Sequence, residues 1–107
     1  MTSDLEFGKA ADLFMEGVMD SLSENDPDEL DVDLAMGVLT MEFGDGSKCI
    51  MNRQAAARQI WLAEGASAWH FAQDPVTRHW MDTKGRGRLE TVLGRILERR
   101  LGKKIEL

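Results

Sequence analysis

Phe7, Ala11, Phe14, Met15, Val18 and Leu22 recur at three- and four-residue steps, the period that lines one face of an α-helix with apolar side chains. The spacing predicts a first helix over residues 4 to 24, with Ser3 or Asp4 as N-cap and Pro27 ending it. On its other side Asp12, Glu16, Asp20 and Glu24 follow one another at four-residue steps, so their carboxylates form a slowly turning stripe.

The period then changes to two. In "ELDVDLAMG" alternation points Val32, Leu34 and Met36 inward and Asp31 and Asp33 outward, as in a half-buried strand. "VLTMEF", "GDGS" and "KCIMN" make a hairpin pattern in which Leu39, Met41 and Phe43 share a face. "QIWLA", "AWHFA" and "RHWMD" add three short strands, broken at Gly65 and at Asp74-Pro75. After "KGRGR", Leu89, Val92, Leu93, Ile96, Leu97 and Leu101 restore the helical period, which Gly102 stops. The expected fold is α+β. It is a two-layer α/β sandwich with an antiparallel sheet of five or six strands, and the N- and C-terminal helices pack on one face. Residues 1 to 107 are expected to form a single domain.

Alternation makes one position conspicuous. If Gln59 to Ala63 is a strand, Ile60 and Leu62 face the core, while Gln59, Trp61 and Ala63 face the other way, near Asn52, Arg53 and Gln54. With both helices on one sheet face, Trp61 stands on the open one. Trp69, Phe71 and Trp80 are expected beneath the helices, because aromatics at strand alternation usually pack in cores.

Charge alters this picture more than composition does. The net charge is -6, yet thirteen of the nineteen acids lie in residues 1 to 45 beside one base, Lys9; the remaining chain holds twelve bases and six acids. Such a dipolar chain disfavours nucleic acid and favours cations or a basic protein surface. No apolar run approaches the roughly 18 residues of a membrane span. "MTSDLEF" has an early acid and no basic-then-apolar signal, so a cytoplasmic location is expected. The single cysteine, Cys49, fits a reducing compartment and reads as a small strand residue.

Among candidate chemistry, Glu16, Asp20, Glu24, Asp26, Asp28, Glu29, Asp31 and Asp33 come from the end of the first helix, the loop after it and the outward face of an edge strand. Oxygen-only ligands favour hard cations: iron, manganese, calcium or magnesium. An EF-hand is excluded, because a loop from Asp26 would need glycine at Asp31 and glutamate at Gly37. An unenclosed ridge should bind ions weakly. The plainer reading is a solvated face that shields an edge strand from pairing. His70 and His79 read as ordinary surface histidines, and no catalytic residue is expected. The arginines of the C-terminal half lack a phosphate-binding loop, and no nucleophile elbow or zinc spacing occurs.

"GVLTMEFGDGSKCIMNRQAAARQIWLA", residues 37 to 63, resembles the frataxin family, specifically its bacterial CyaY type. The resemblance extends along the chain through the acidic first helix and loop, Asn52 with Gln54, Gln59 to Ala63, His70-Phe71, Trp80 with Asp82, and the closing helix. It implies an α/β sandwich that binds iron (Fe2+ or Fe3+) weakly on the acidic ridge. It also implies a part in iron-sulfur cluster assembly, as iron donor or chaperone or as regulator of the cysteine desulfurase and its scaffold. In proteins similar to this one, the tryptophan matching Trp61 lies on the exposed sheet with the residues matching Asn52, Gln54 and Gln59 and is associated with partner binding; neighbouring Arg53 is counted in that group. Two alternatives stand beside this reading. One is a ferroxidase or iron-storage protein, and the other is a metal-independent interaction module. The expected state is a monomer, with iron-dependent oligomers as the alternative. Two departures from similar proteins stand out: Met19, Ser21 and Ser23 thin the charge of the first helix, and Ser67, Ala68 and Trp69 replace glycines before His70-Phe71.

Overall fold

In the computed structural model, which describes residues 3 to 107, Ser3 opens the first helix with extended backbone at φ -78° and ψ 166°. Its hydroxyl accepts the Glu6 amide at 3.1 Å and donates to Glu6 Oε1 at 3.2 Å, a reciprocal cap that satisfies an orphan amide. Helix α1 spans Asp4–Leu22 and buries Phe7, Ala11, Met15, Val18 and Leu22. It ends before the expected Glu24 because the Leu22 carbonyl is claimed by Asn25, whose amide and side chain donate to it at 3.1 and 3.0 Å. The chain then turns on Asp26, whose carbonyl accepts the amides of Glu29 and Leu30.

Strands β1 (Leu30–Ala35), β2 (Val38–Phe43), β3 (Lys48–Gln54), β4 (Gln59–Glu64), β5 (Ser67–Gln73) and β6 (Trp80–Asp82) follow. They form one six-stranded sheet, each antiparallel to its sequence neighbours, in the order β1-β2-β3-β4-β5-β6. The expectation of five or six strands resolves to six. Met36 departs from expectation: it is 97% exposed, because the chain reverses there. Met36 and Gly37, with φ of 53° and 76°, make the two-residue turn whose positive φ values suit the sheet's twist. Gly37 has a further constraint, since a Cβ there would lie 2.7 Å from Arg53 Nε.

Helix α2, Leu89–Leu101, ends in the left-handed Gly102, whose amide donates to Glu98 O at 2.9 Å. Both helices cover one sheet face. Leu39, Met41, Cys49, Met51, Ile60, Leu62 and Phe71 are buried against Met15, Leu22, Leu93 and Leu97, and each large side chain so removed from water contributes roughly 1.5–3 kcal/mol. Trp80 packs edge-on against Phe7, centroids 6.0 Å apart at 75°. Trp69 reaches only the margin of this layer and is half-buried.

Among the described residues two charged side chains are buried, Glu64 and Asp82. Glu64, at the end of β4, accepts from Arg99 at 2.8 Å and from Arg100 Nε at 2.7 Å, which ties the last turn of α2 to the sheet. Asp82 accepts from Arg86 Nε at 2.7 Å. Burial is the largest influence on the Glu64 carboxyl and pushes its pKa up; the two guanidiniums together outweigh it and leave the pKa below the ordinary value. For Asp82 the Arg86 hydrogen bond dominates and holds the carboxyl low.

Candidate functional site

The eight acids singled out in the sequence are all exposed. Glu16 and Asp20 project from α1, Glu24 follows its C-cap, Asp26, Asp28 and Glu29 occupy the loop, and Asp31 and Asp33 alternate outward on β1, an edge strand of the sheet. The set is open rather than caged: among the described residues no three histidine, cysteine, aspartate or glutamate side chains converge as a preformed ion site. Some of these oxygens already have partners, since Asp26 Oδ1 accepts the Asp28 amide at 2.9 Å and Glu29 pairs with Lys103 at 3.0 Å. The register adds an acid that sequence reasoning missed, because exposed Glu42 lies directly across from Asp31. Alternation along "VLTMEF" was the signal for it. Asp12 is set apart from the stripe, as Arg53 Nη1 contacts its two oxygens at 2.5 and 2.6 Å.

The second candidate surface is the uncovered sheet face. Asn52, Trp61 and His70 lie side by side across β3, β4 and β5. The Trp61 indole donates to Gln59 Oε1 at 2.8 Å and stacks on the His70 ring at 4.1 Å and 9°. Gln54 donates to Asn52 at 3.0 Å. Asn52, Gln54, Gln59 and Trp61 are therefore brought together, and His70 joins them; both histidines are half-buried rather than exposed. Arg53 is not brought to this face. It pairs in register with buried Ile60 and reaches Asp12 on α1, as strand alternation requires for a residue between Asn52 and Gln54. Val38 and Ile50 add apolar surface at 36% exposure each.

This geometry can be set beside known proteins. The family model of the frataxin-like domain matches residues 1–103. The chain belongs to the frataxin family, of the bacterial CyaY type. It is 39% identical over 106 residues to the iron-sulfur cluster assembly protein CyaY of Thioalkalivibrio sulfidiphilus, covering 98% of this chain and 99% of that protein. Identity to the protein of the same name from Pseudomonas entomophila is 35% over 104 residues, 97% of this chain and 94% of that one. Among solved structures, the frataxin from Psychromonas ingrahamii superposes with a TM-score of 0.87 at 25% identity, covering 99% of this chain and 97% of that one. A trimeric yeast frataxin complexed with ferrous iron gives 0.73 at 30% identity, covering 88% of this chain and 87% of that chain.

Within this frataxin the remaining chemistry is quiet. Burial pushes the Cys49 thiol up to about 12, with Glu64 adding to the effect and Arg100 opposing it, so at neutral pH it stays a packed, protonated side chain. Among the described residues no helix is long and apolar enough to cross a membrane.

Proposed function

We propose that this frataxin serves iron-sulfur cluster assembly in the cytoplasm, carrying iron weakly on its acidic edge and engaging a cysteine desulfurase and its scaffold to supply or regulate them. The observation that carries the reading is the run of exposed, oxygen-only carboxylates from Glu16 to Asp33 around one sheet edge, in a chain of this family. Iron is the cargo. Hard cations accept carboxylate oxygens, and ligands left open to water exchange their ion readily, which suits delivery better than storage. The names of the relatives, and the ferrous iron on the yeast protein, support the same direction.

Two surfaces divide the work in this reading. The acidic edge meets cations or a basic groove of the desulfurase, while the Trp61 face offers a rigid indole held by Gln59 and His70, the kind of side chain enriched among interface hot spots. An amide NMR titration with iron(II), then with desulfurase, tests the proposal. Iron should perturb Glu16, Asp20, Glu24, Asp26, Asp28, Glu29, Asp31 and Asp33 before His70 or His79. Carboxylates bind metal deprotonated, so the perturbations should weaken on acidification. Strongest shifts at the two histidines would overturn the oxygen-ligand reading.

A further inference from the structure

Toward the sheet edge opposite β1, the α2 helix and the β4–β5 hairpin enclose a groove of about 360 Å³. Trp69, Val92 and Ile96 line its apolar part, and Arg86, Arg95 and Arg99 line the rest. Two of these arginines are anchored from below by buried carboxylates. Asp82, with no exposed side-chain surface, accepts from Arg86 Nε at 2.7 Å and from its Nη2 at 3.1 Å. Glu64, 7% exposed, shares its oxygens between Arg99 and Arg100. Burying a carboxylate is costly unless its partners compensate, and here the compensation fixes two guanidiniums at the mouth of one groove.

Donors remain free on this frame. Arg86 also lies over the Trp69 ring, 5.5 Å from its centroid, yet its Nη1 makes no hydrogen bond among the described residues, nor do Nε and Nη1 of Arg99. Exposed Arg95 has no hydrogen-bond or ion-pair partner among them. Three guanidiniums, those of Arg86, Arg95 and Arg99, line the groove beside one lining carboxylate, Glu64, with Asp82 held beneath Arg86, so the groove is net positive. Val92 with Ile96, and Arg95 with Arg99, repeat at four-residue steps along α2. The cationic row thus runs along the helix and stays open, above Val92 and Ile96, which are almost fully buried, and beside half-buried Trp69, whereas pockets for small molecules enclose most of the ligand.

We propose that this groove docks an extended acidic peptide segment of a partner protein, with carboxylates on Arg86, Arg95 and Arg99 and an apolar side chain against the accessible part of Trp69. The recognition is charge complementarity over an apolar floor, and charge-assisted guanidinium–carboxylate bonds set the register. The site lies away from the acidic edge, so one molecule can hold a basic partner on one edge and an acidic segment on the other. It stands or falls independently of the iron-sulfur reading.

The test is an amide NMR titration of the full chain with three probes: acetyl-Glu-Leu-Glu-Glu-Leu-Glu-amide, its lysine counterpart, and sodium pyrophosphate. The acidic peptide should shift the Trp69 indole and the Arg95 and Arg99 amides, and the lysine peptide should not. Arg95→Glu, at an exposed unpaired position, should weaken the acidic peptide about tenfold, while Lys104→Glu, an equal charge change outside the groove, should change it by less than about twofold. Three results would overturn the proposal. These are no shift or shifts elsewhere, equal weakening by the two variants, which means diffuse charge, and tighter binding of pyrophosphate at the same residues, which means a small-anion site.

Discussion

Trp80 is 3% exposed and wedged against Phe7 and Phe14, whereas Trp61 lies half-buried on the water side of the same sheet, held by Gln59 and His70. The same substitution should therefore have two outcomes. Trp80→Ala should cost about 3–5 kcal/mol, the usual price of deleting a core aromatic, and Trp61→Ala clearly less. If Trp61 is a hot spot of the proposed interface, its loss should weaken binding to the desulfurase–scaffold complex by about 2 kcal/mol or more. Urea denaturation of both variants beside a pull-down decides it, and a Trp61 variant that melts early yet binds normally once folded would refute the interface assignment. Alternation alone separated these tryptophans. It also places Arg53 opposite Asn52 and Gln54, a consequence visible in the sequence once the strand is accepted. Its partner was not visible, because Asp12 lies 41 residues away and no local pattern specifies a guanidinium reaching across two layers. The buried acids carry a pH signature. Glu64 and Asp82 both have folded pKa values below the ordinary carboxyl value, so their contribution is complete above the unfolded values near roughly 4 and is lost as pH falls through the folded ones. Asp82→Asn should cost about 1.5–3 kcal/mol at pH 7, as for other charge-assisted hydrogen bonds, and should flatten the decline in stability below about pH 4. An undiminished acid decline in the variant would place that decline elsewhere.

At the scale of elements, the periods of 3.6 and 2 located both helices and every strand, because each buries one face and must repeat accordingly. What they missed lies at reversals. Met36 continued the inward alternation of Val32 and Leu34, and methionine is not a residue that marks a turn. Only the pairing of Ala35 with Val38 reveals that two residues are left to reverse the chain. The end of α1 was likewise set by Asn25 capturing a carbonyl rather than by Pro27. The acidic edge was legible as composition, since its members cluster in sequence, but the facing of Asp31 and Glu42 required the register. That edge is expected to add little to the fold. Changing Asp26, Asp28, Asp31 and Asp33 together to asparagine should leave the melting temperature unchanged or slightly higher, because exposed like charges repel and an amide oxygen can still accept the Asp28 amide as Asp26 does now. The same variant should bind iron(II) and desulfurase more weakly. A large drop in melting temperature by calorimetry would show that these acids hold structure.

Across the whole molecule the two halves of the sequence become two charged regions: acids on α1, the following loop and β1, and arginines along α2 and the loop before it. Of the eight acids from Glu16 to Asp33, only Glu29 has an ion-pair partner among the described residues, Lys103 just past α2, so most of the acidic edge remains uncompensated toward solvent. Uncompensated surface charge acts at long range and governs encounter more than the lifetime of a complex. In the proposed complex the Trp61 face would be the reverse, a short-range surface whose contacts resist departure. Binding of the desulfurase–scaffold complex should therefore divide kinetically. Raising ionic strength from about 50 to about 300 mM shortens the Debye length and should slow association about tenfold with little change in dissociation. Amidation of the acidic edge should mimic high salt and remove most of the salt dependence. Trp61→Ala should instead speed dissociation and leave the salt dependence of association intact, since most effects of interface contacts appear in the off-rate. Surface plasmon resonance with immobilised desulfurase and scaffold measures both rates. If salt and edge amidation acted on dissociation, or if Trp61→Ala altered association alone, the assignment of steering to the edge and of holding to the sheet face would be wrong.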